Sequence, residues 1–291
     1  MSRLVLIDGV STPAERAQIS VYDRGFLYGD SVFETIRTYG GRLFALAEHI
    51  DRLARSASSV GIQLPVSTEQ LAEETLRAVR EAGNAESYAR VMITRGSGPV
   101  DLDTASAEQP LRVVMVQPLT TPPAEYYRDG ILVRCIETVR ASDAAGSAKL
   151  GNYLASALAL RLARDAGAAE ALVVNRDGLV VEGPTSNVFL VQQGTIVTPP
   201  LEIGVLPGIT RAIVIELAGE LGLAVDFAAY PAEQVVESDE IFLTSSIREV
   251  IPVVQVDDTV IGDGKPGRIT GLLHRAFRQR VGLGGELPHN D

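Results

Sequence analysis

Lys149 is one of only two lysines in a chain of 291 residues that carries 24 arginines. The other, Lys265, lies in Gly262-Asp263-Gly264-Lys265-Pro266-Gly267, a run of turn residues. Lys149 follows a small-residue run, Ala144-Ala145-Gly146-Ser147-Ala148, and precedes a long apolar helical pattern. A composition that uses arginine for nearly every positive charge keeps lysine where arginine fails. Arginine fails where a neutral amine must attack a carbonyl, because guanidinium stays protonated. Lys149 is therefore read as a Schiff-base lysine, and the rest of the chain as what holds its carbonyl partner.

A Schiff-base cofactor such as pyridoxal phosphate needs more than an amine. It needs an anion at the ring nitrogen, a phosphate cradle, and groups for the substrate carboxylate. Glu182, beside Gly183-Pro184 at a strand end, is the candidate anion. A carboxylate there keeps the pyridine protonated and able to accept electrons. Read alone, it is more readily a turn glutamate. Leu206-Pro207-Gly208-Ile209-Thr210-Arg211 is the candidate cradle, since glycine before a helix lets backbone N–H groups approach an anion. Read alone, it is an ordinary capped helix start. Thr244-Ser245-Ser246 offers further hydroxyls. Arg52 offers a positive charge, or is a solvated helix-face arginine.

The elements that must position these groups are short. Strands are expected at 4–7, 19–21, 32–39, 42–46, 88–95, 111–116 and 131–139. Gly40-Gly41 marks a hairpin. Helices are expected at 47–60 and 68–82, the second opened by a Ser67/Gln70 capping pattern. In the strand 88–95, Tyr88, Arg90, Met92 and Thr94 share a face. Beyond residue 131, helices at 152–167, 211–221, 231–236 and 267–281 mix with strands at 169–175, 180–181, 187–191, 195–198, 225–228, 240–244 and 253–256. The first of these helices carries Leu154, Ala155, Leu158, Leu162 and Ala163 on one face. Strands and helices without strict alternation indicate an α+β fold. The expected division is a small domain over 1–118, a proline-bearing linker over 119–130, and a large domain over 131–291 carrying Lys149. Residues 282–291 read as a loose tail.

Composition narrows the function. A net charge of −11 without a basic cluster argues against nucleic-acid binding. One cysteine and three scattered histidines give neither a disulfide nor a metal constellation. No apolar run approaches a membrane span and no signal-peptide core opens the chain, so a cytoplasmic location is expected.

Six motifs occur in order. They are Asp23-Arg24-Gly25 with Tyr28-Gly29-Asp30-x-Val32-Phe33-Glu34; His49-x-x-Arg52-Leu53; Lys149-Leu150-Gly151-Asn152-Tyr153; Glu182-Gly183-x-x-Ser186-Asn187-Val188-Phe189; Leu206-Pro207-Gly208-Ile209-Thr210-Arg211; and Thr244-Ser245-Ser246-x-x-Glu249-x-x-Pro252-Val253. This series resembles the fold-type IV pyridoxal-phosphate enzymes, the class IV aminotransferases, from residue 5 to about 280. The family includes branched-chain and D-amino-acid aminotransferases and aminodeoxychorismate lyase. The resemblance implies a two-domain architecture like that of D-amino-acid aminotransferase, pyridoxal 5′-phosphate as cofactor, no metal, and a homodimer.

By the same resemblance, Lys149 forms the internal aldimine and moves the substrate proton. Glu182 pairs with the pyridine nitrogen, and Tyr153 bonds the phenolic oxygen. Arg52, Ile209, Thr210 and Ser246 bind the phosphate, and Leu206 packs on the ring. Tyr28, Phe33, Tyr88, Arg90, Ile247 and Arg248 are the implied substrate-binding positions. Tyr88-Ala89-Arg90 matches a branched-chain pocket motif, while Val100-Asp101-Leu102 stands where D-amino-acid enzymes carry an Arg-x-His carboxylate trap. The implied reaction moves the amino group of branched-chain L-amino acids to 2-oxoglutarate. A D-amino-acid aminotransferase and an aminodeoxychorismate lyase are the alternatives. Three features depart from the branched-chain pattern: Tyr153 comes one residue sooner, Ile247-Arg248 replaces two small residues, and 117–130 carries no family motif. These departures point to a further alternative, relaxed specificity that extends to (R)-amines or D-amino acids. Arg248 either recognises a second carboxylate, such as that of 2-oxoglutarate, or faces solvent.

Overall fold

The computed structural model describes residues 2–107, 109–138 and 148–285. The run 144–147 and the tail beyond 285 lie outside them. The chain divides into two compact units: Met1–Thr120 with Ala144–Tyr153, and Thr121–Asp143 with Leu154–Asp291. Lys149 thus groups with the first unit, whereas the sequence-based division puts it in the second. Among the described residues, no helix is long and apolar enough to cross a membrane.

The first unit contains β1 (Leu4–Ile7), β2 (Val10–Pro13), α1 (Arg24–Tyr28), β3 (Ser31–Tyr39), β4 (Arg42–Leu43), α2 (Leu46–Ser59), α3 (Thr68–Ala82), β5 (Ser87–Thr94) and β6 (Leu111–Pro118). Its strands form an antiparallel sheet in the order β2-β1-β6-β5-β3-β4. Period-2 alternation sorts the side chains of β5: Ala89, Val91 and Ile93 are fully buried in a core shared with Ile50, Leu53 and Leu71 of α2 and α3. Tyr88, Arg90 and Met92 lie on the other face, as expected, and are half-buried. Ser67 caps α3 by accepting from the Gln70 N–H at 3.2 Å.

The helix α1 has no counterpart among the expected elements. Asp23 starts it by accepting from the Gly25 N–H at 2.8 Å, and Gly29 ends it at φ +68. Asp30 then takes Arg24 Nε at 3.1 Å and Arg95 Nε at 2.7 Å, which ties this short helix to the ends of β3 and β5.

The second unit contains α4 (Glu125–Arg128), β7 (Ile131–Glu137), α5 (Leu154–Asp165), β8 (Glu170–Val174), β9 (Leu179–Glu182), β10 (Asn187–Gln192), β11 (Thr195–Thr198), α6 (Ile209–Glu220), β12 (Val225–Phe227), β13 (Tyr230–Pro231), α7 (Ala232–Val235), β14 (Glu240–Ser245), β15 (Glu249–Val256), β16 (Thr259–Val260) and α8 (Arg268–Arg280). The ten strands make one mixed sheet, β12-β11-β10-β14-β15-β7-β8-β9-β13, with β16 on β15. The parallel pair β7–β8 is joined through α5, a crossover of the kind parallel strands require. Two sheets with helices, parallel and antiparallel pairs together, make the α+β class expected from the sequence.

Two sequence expectations change here. The interval 119–130, read as a linker from its prolines and lack of periodicity, holds α4, whose Tyr127 is buried. The apolar face of α5 is also different. Leu154, Leu158 and Leu162 are exposed, while Ala159 and Ala163 are buried against Ala168, Ala171, Leu132 and Ile136. The helix meets the sheet through alanines because small side chains permit close approach, and the bulkier stripe turns outward.

One buried ion cluster joins sheet to helix in the first unit. Glu34 shares the inward face of β3 with Val32 and Ile36, and it is fully buried. Its carboxylate accepts from Arg52 Nε and Nη2 at 2.7 Å each, and His49 Nδ1 lies 2.7 Å away. Burial alone would raise the Glu34 carboxyl, but the Arg52 charge and the hydrogen bonds from His49 and Arg52 outweigh it and hold the pKa at about 2. Burial pushes His49 below its ordinary value, against the pull of Glu34.

The sign of the pH dependence follows. The Glu34 contribution is fully present above its unfolded value of 4.5 and is lost as pH falls through about 2. His49 favours its neutral form, so stability begins to fall as pH drops below 6.5. Glu34→Gln leaves Arg52 buried without its anion and should cost about 3–5 kcal/mol at neutral pH. Chemical denaturation of parent and variant across acidic pH checks this: the variant's stability should be flatter between 4.5 and 2 than the parent's.

Candidate active site

In the first unit the site is built on the free edge of β3. Phe33 N–H donates to Lys149 O at 3.1 Å, and Gly151 N–H donates to Ser31 O at 2.7 Å. Lys149–Gly151 therefore pairs with the start of β3 while β4 pairs with its end. Gly151 suits this approach, since a Cβ there would lie 2.0 Å from Ser31 Oγ and 3.3 Å from Gly29 O, and the serine would have to turn away. Lys149 N–H donates to Ser56 Oγ of α2 at 3.2 Å.

The side chains meet accordingly. Lys149 Nζ donates to the Tyr153 hydroxyl at 3.0 Å and lies 4.7 Å from the Phe33 ring centroid. Tyr153 packs edge-on against Phe33 at 5.0 Å. The earlier arrival of Tyr153 in the chain thus still brings its phenol to the amine. The Arg90 guanidinium stacks 3.7 Å from the Phe33 centroid, and its buried Nε has no hydrogen-bond partner among the described residues. Tyr88, two residues away on the same face, has its hydroxyl 3.3 Å from Thr35 Oγ1. Tyr28 ends α1 with the Arg24 guanidinium 5.0 Å from its ring centroid. Arg52, on α2, is bound to Glu34 as described.

In the second unit the site gathers where β9, β10 and β14 meet their loops. Glu182 Oε2 accepts from Asn187 Nδ2 at 2.9 Å and from the Leu206 N–H at 3.0 Å. Asn187 Nδ2 also donates to Leu206 O at 2.9 Å. One amide thereby joins the carboxylate to the loop that starts α6. A Cβ on Gly208 would lie 1.9 Å from Asn187 Oδ1, so this loop accepts only glycine there without rearrangement. The helix begins at Ile209, two residues earlier than expected, and no side chain caps its Gly208 start. With no acidic residue in the first turn, the Ile209 and Thr210 end is suited to an anion. Arg211 turns inward, its Nη2 donating to Pro199 O at 3.1 Å; burial pushes its pKa down while Glu182 opposes the fall.

Two buried hydroxyls nearby, Ser186 Oγ and Thr244 Oγ1, have no hydrogen-bond partner among the described residues. Thr244 stands directly across from Asn187 in the sheet. Ser246, Ile247 and Arg248 form the half-buried turn between β14 and β15. Arg248 has an internal partner that neither expectation included: its Nη1 is hydrogen-bonded to the buried carboxylate of Glu170.

Within the second unit, a carboxylate, a helix start and buried hydroxyls, the last two without a side-chain cap or hydrogen-bond partner among the described residues, fit the ring nitrogen and phosphate of a phosphorylated pyridine. Within the first unit, amine, phenol and arginine meet on one aromatic ring, which fits the carbonyl chemistry of the same cofactor. Glu34, His49 and Glu170 have no role in the sequence-based reading. For Glu34 a signal existed: a glutamate between Val32 and Ile36 on a core-facing strand stripe implies a buried charge needing partners.

Comparison with known proteins agrees. The family model for class IV amino-transferases matches residues 31–256. A putative branched-chain-amino-acid aminotransferase of Methanocaldococcus jannaschii is 37% identical, over 94% of this chain and 95% of that protein. A D-alanine aminotransferase of Bacillus licheniformis is 33% identical, over 95% and 96%. The solved branched-chain aminotransferase of the thermophilic archaeon Thermoproteus uzoniensis, with norvaline, superposes with a TM-score of 0.88 at 32% identity, covering 97% of this chain and 95% of that one. The amine, the carboxylate and the anion-ready helix start belong to a family member: this chain is a class IV aminotransferase, a pyridoxal-phosphate-dependent transaminase.

Proposed function

We propose that this transaminase moves the amino group of branched-chain L-amino acids to 2-oxoglutarate. The observation that carries this reading is the Phe33 ring, contacted by both Lys149 Nζ and the Arg90 guanidinium. Such a pocket must accept an aliphatic side chain in one half-reaction and a carboxylate side chain in the other. Phe33 and Tyr88, with Tyr28, offer apolar surface for the first. Arg90 offers positive charge for the second.

Lys149 would hold the cofactor through its amine, and its Nζ, as general acid/base, would move the proton from the substrate's Cα to the cofactor's reacting carbon. When bound, pyridoxal 5′-phosphate supplies the electron sink that lets this proton leave. Tyr153 orients the Lys149 amine and bonds the cofactor's phenolic oxygen. Glu182 keeps the ring nitrogen protonated. Arg52, the Ile209 and Thr210 N–H groups with the Thr210 hydroxyl, and the Ser246 hydroxyl hold the phosphate. Leu206 packs on the ring. The enzyme acts in this reading as a cytoplasmic homodimer on small-molecule amino donors and 2-oxo acids.

A second reading, transfer from D-amino acids, is favoured by the 33% identity to a D-alanine aminotransferase. Against it, the segment Val100-Asp101-Leu102 has no arginine or histidine for a carboxylate trap, and the backbone carbonyl of Asp101 accepts from Arg24 Nη1 at 3.1 Å. A third, the lyase reaction on aminodeoxychorismate, is separated by assaying pyruvate formation.

Lys149→Ala should fold normally and lose turnover by about four orders of magnitude or more, as removal of a principal catalytic group does. Near-normal transamination by that variant sinks the assignment. The donor is settled by following the bound cofactor's spectrum with single amino donors. L-leucine and L-glutamate should convert it, and D-alanine and (R)-1-phenylethylamine should do so far more slowly. Faster conversion by D-alanine than by L-leucine replaces this reading with the second.

A further inference from the structure

Glu170 is a buried carboxylate that the reaction above does not use. It opens β8 with about 1% of its surface exposed, and Arg248 supplies its hydrogen-bonded counter-charge. A charge this deep is retained only where it is paired. Its position is informative. One carboxylate oxygen holds Arg248, at the end of the Ser246–Arg248 turn. The other, Oε1, has no hydrogen-bond partner among the described residues and lies 3.4 Å from where a Cβ on Gly183 would stand. Ser186 Oγ, also unpartnered, lies 2.3 Å from that same point. Glu170 therefore borders both the turn that carries Ser246 and the loop that follows Glu182.

The turn is held from other sides as well. Arg248 N–H donates to Ser245 Oγ at 3.3 Å, and Arg248 O accepts from the Tyr127 hydroxyl at 3.1 Å. Glu249, the next residue, sits at φ +58, a left-handed conformation that costs free energy unless its surroundings fix it. His274 Nε2 at 2.9 Å and Arg278 Nη1 at 3.1 Å hold its carboxylate. Arg248 is thus fixed at its backbone on both sides and at its side chain, which is the arrangement of a brace. A guanidinium already joined to an internal carboxylate is also a poorer receptor for a second, because the two anions repel.

We infer that Glu170 is a positioning residue, acting through Arg248 to hold the Ser246–Arg248 turn in place for the cofactor. The inference rests on the functional reading above. Arg248 in this assignment does not read the substrate.

The test uses the cofactor-loaded enzyme and three variants: Glu170→Gln, Arg248→Gln and the pair together. Cofactor loss on dilution, followed by absorbance, should be about tenfold more extensive in each single variant, as misplacement of one binding element produces. The double variant should be no worse than the singles, because both remove one shared interaction. Arg248→Lys should restore most of the retention. The ratio of kcat/KM for 2-oxoglutarate to that for 4-methyl-2-oxopentanoate should stay within about twofold of the parent's, since uniform loss of binding leaves discrimination unchanged. Thermal unfolding of each variant separates misplacement from global destabilisation. A rise in KM for 2-oxoglutarate alone in Arg248→Gln overturns the inference and makes Arg248 a substrate reader. Parent-like cofactor retention in Glu170→Gln overturns it too. If the parent itself neither holds the cofactor nor transaminates, the functional reading falls first and this inference with it.

Discussion

The structure depends on two backbone hydrogen bonds, Phe33 N–H to Lys149 O and Gly151 N–H to Ser31 O. They take a segment whose flanking elements, β7 and α5, belong to the second unit and register it against a strand of the first. Register is what this pairing fixes. A slip of one residue would reverse which side chains face Phe33. With the pairing as it stands, the Lys149 amine meets the Tyr153 phenol and the Phe33 ring, and Gly151 removes the Cβ that would crowd Ser31. Ser56 of α2 accepts the Lys149 N–H and completes the attachment.

The electrostatics follow a common plan in both units. Each has a deeply buried glutamate tied to an arginine: Glu34 to Arg52 and Glu170 to Arg248. In the first, two nitrogens of one guanidinium and a histidine hold the carboxylate well below its ordinary range. In the second, burial dominates and Glu170 is raised despite Arg248. The difference is one of partner number. Three donors outweigh desolvation where one does not. Arginine suits these places because its fork meets a carboxylate in a fixed plane and stays charged when buried.

Much of this is legible in the residues. The alternation in 88–95, the Gly40-Gly41 hairpin, the Ser67 cap and the scarcity of lysine each act within a few residues of chain, and each has a local physical cause. The family resemblance rests on six such motifs in order and extends over nearly the whole chain. What is not legible depends on neighbours in space. The leucines of α5 look like its core face, yet the sheet accepts the alanine stripe instead. Nothing near Arg248 in the chain shows that β8 places Glu170 against it. The short helix α1 escapes a periodicity argument because a five-residue helix has almost no periodicity. Its only marks are Asp23 before it and Gly29 after it.

The route of the chain through the two units carries a consequence for how the protein can be divided. Each unit is assembled from two separate stretches of sequence, so no single cut yields both intact. A fragment ending at residue 120 would keep the six-stranded sheet but leave the edge of β3 at Ser31–Phe33 bare, with its N–H and C=O groups unpaired. The complementary fragment would carry the lysine with nothing to dock it. Modularity in this fold therefore lies in space and not along the sequence, and the amine is the residue that any cut at the apparent boundary would strand.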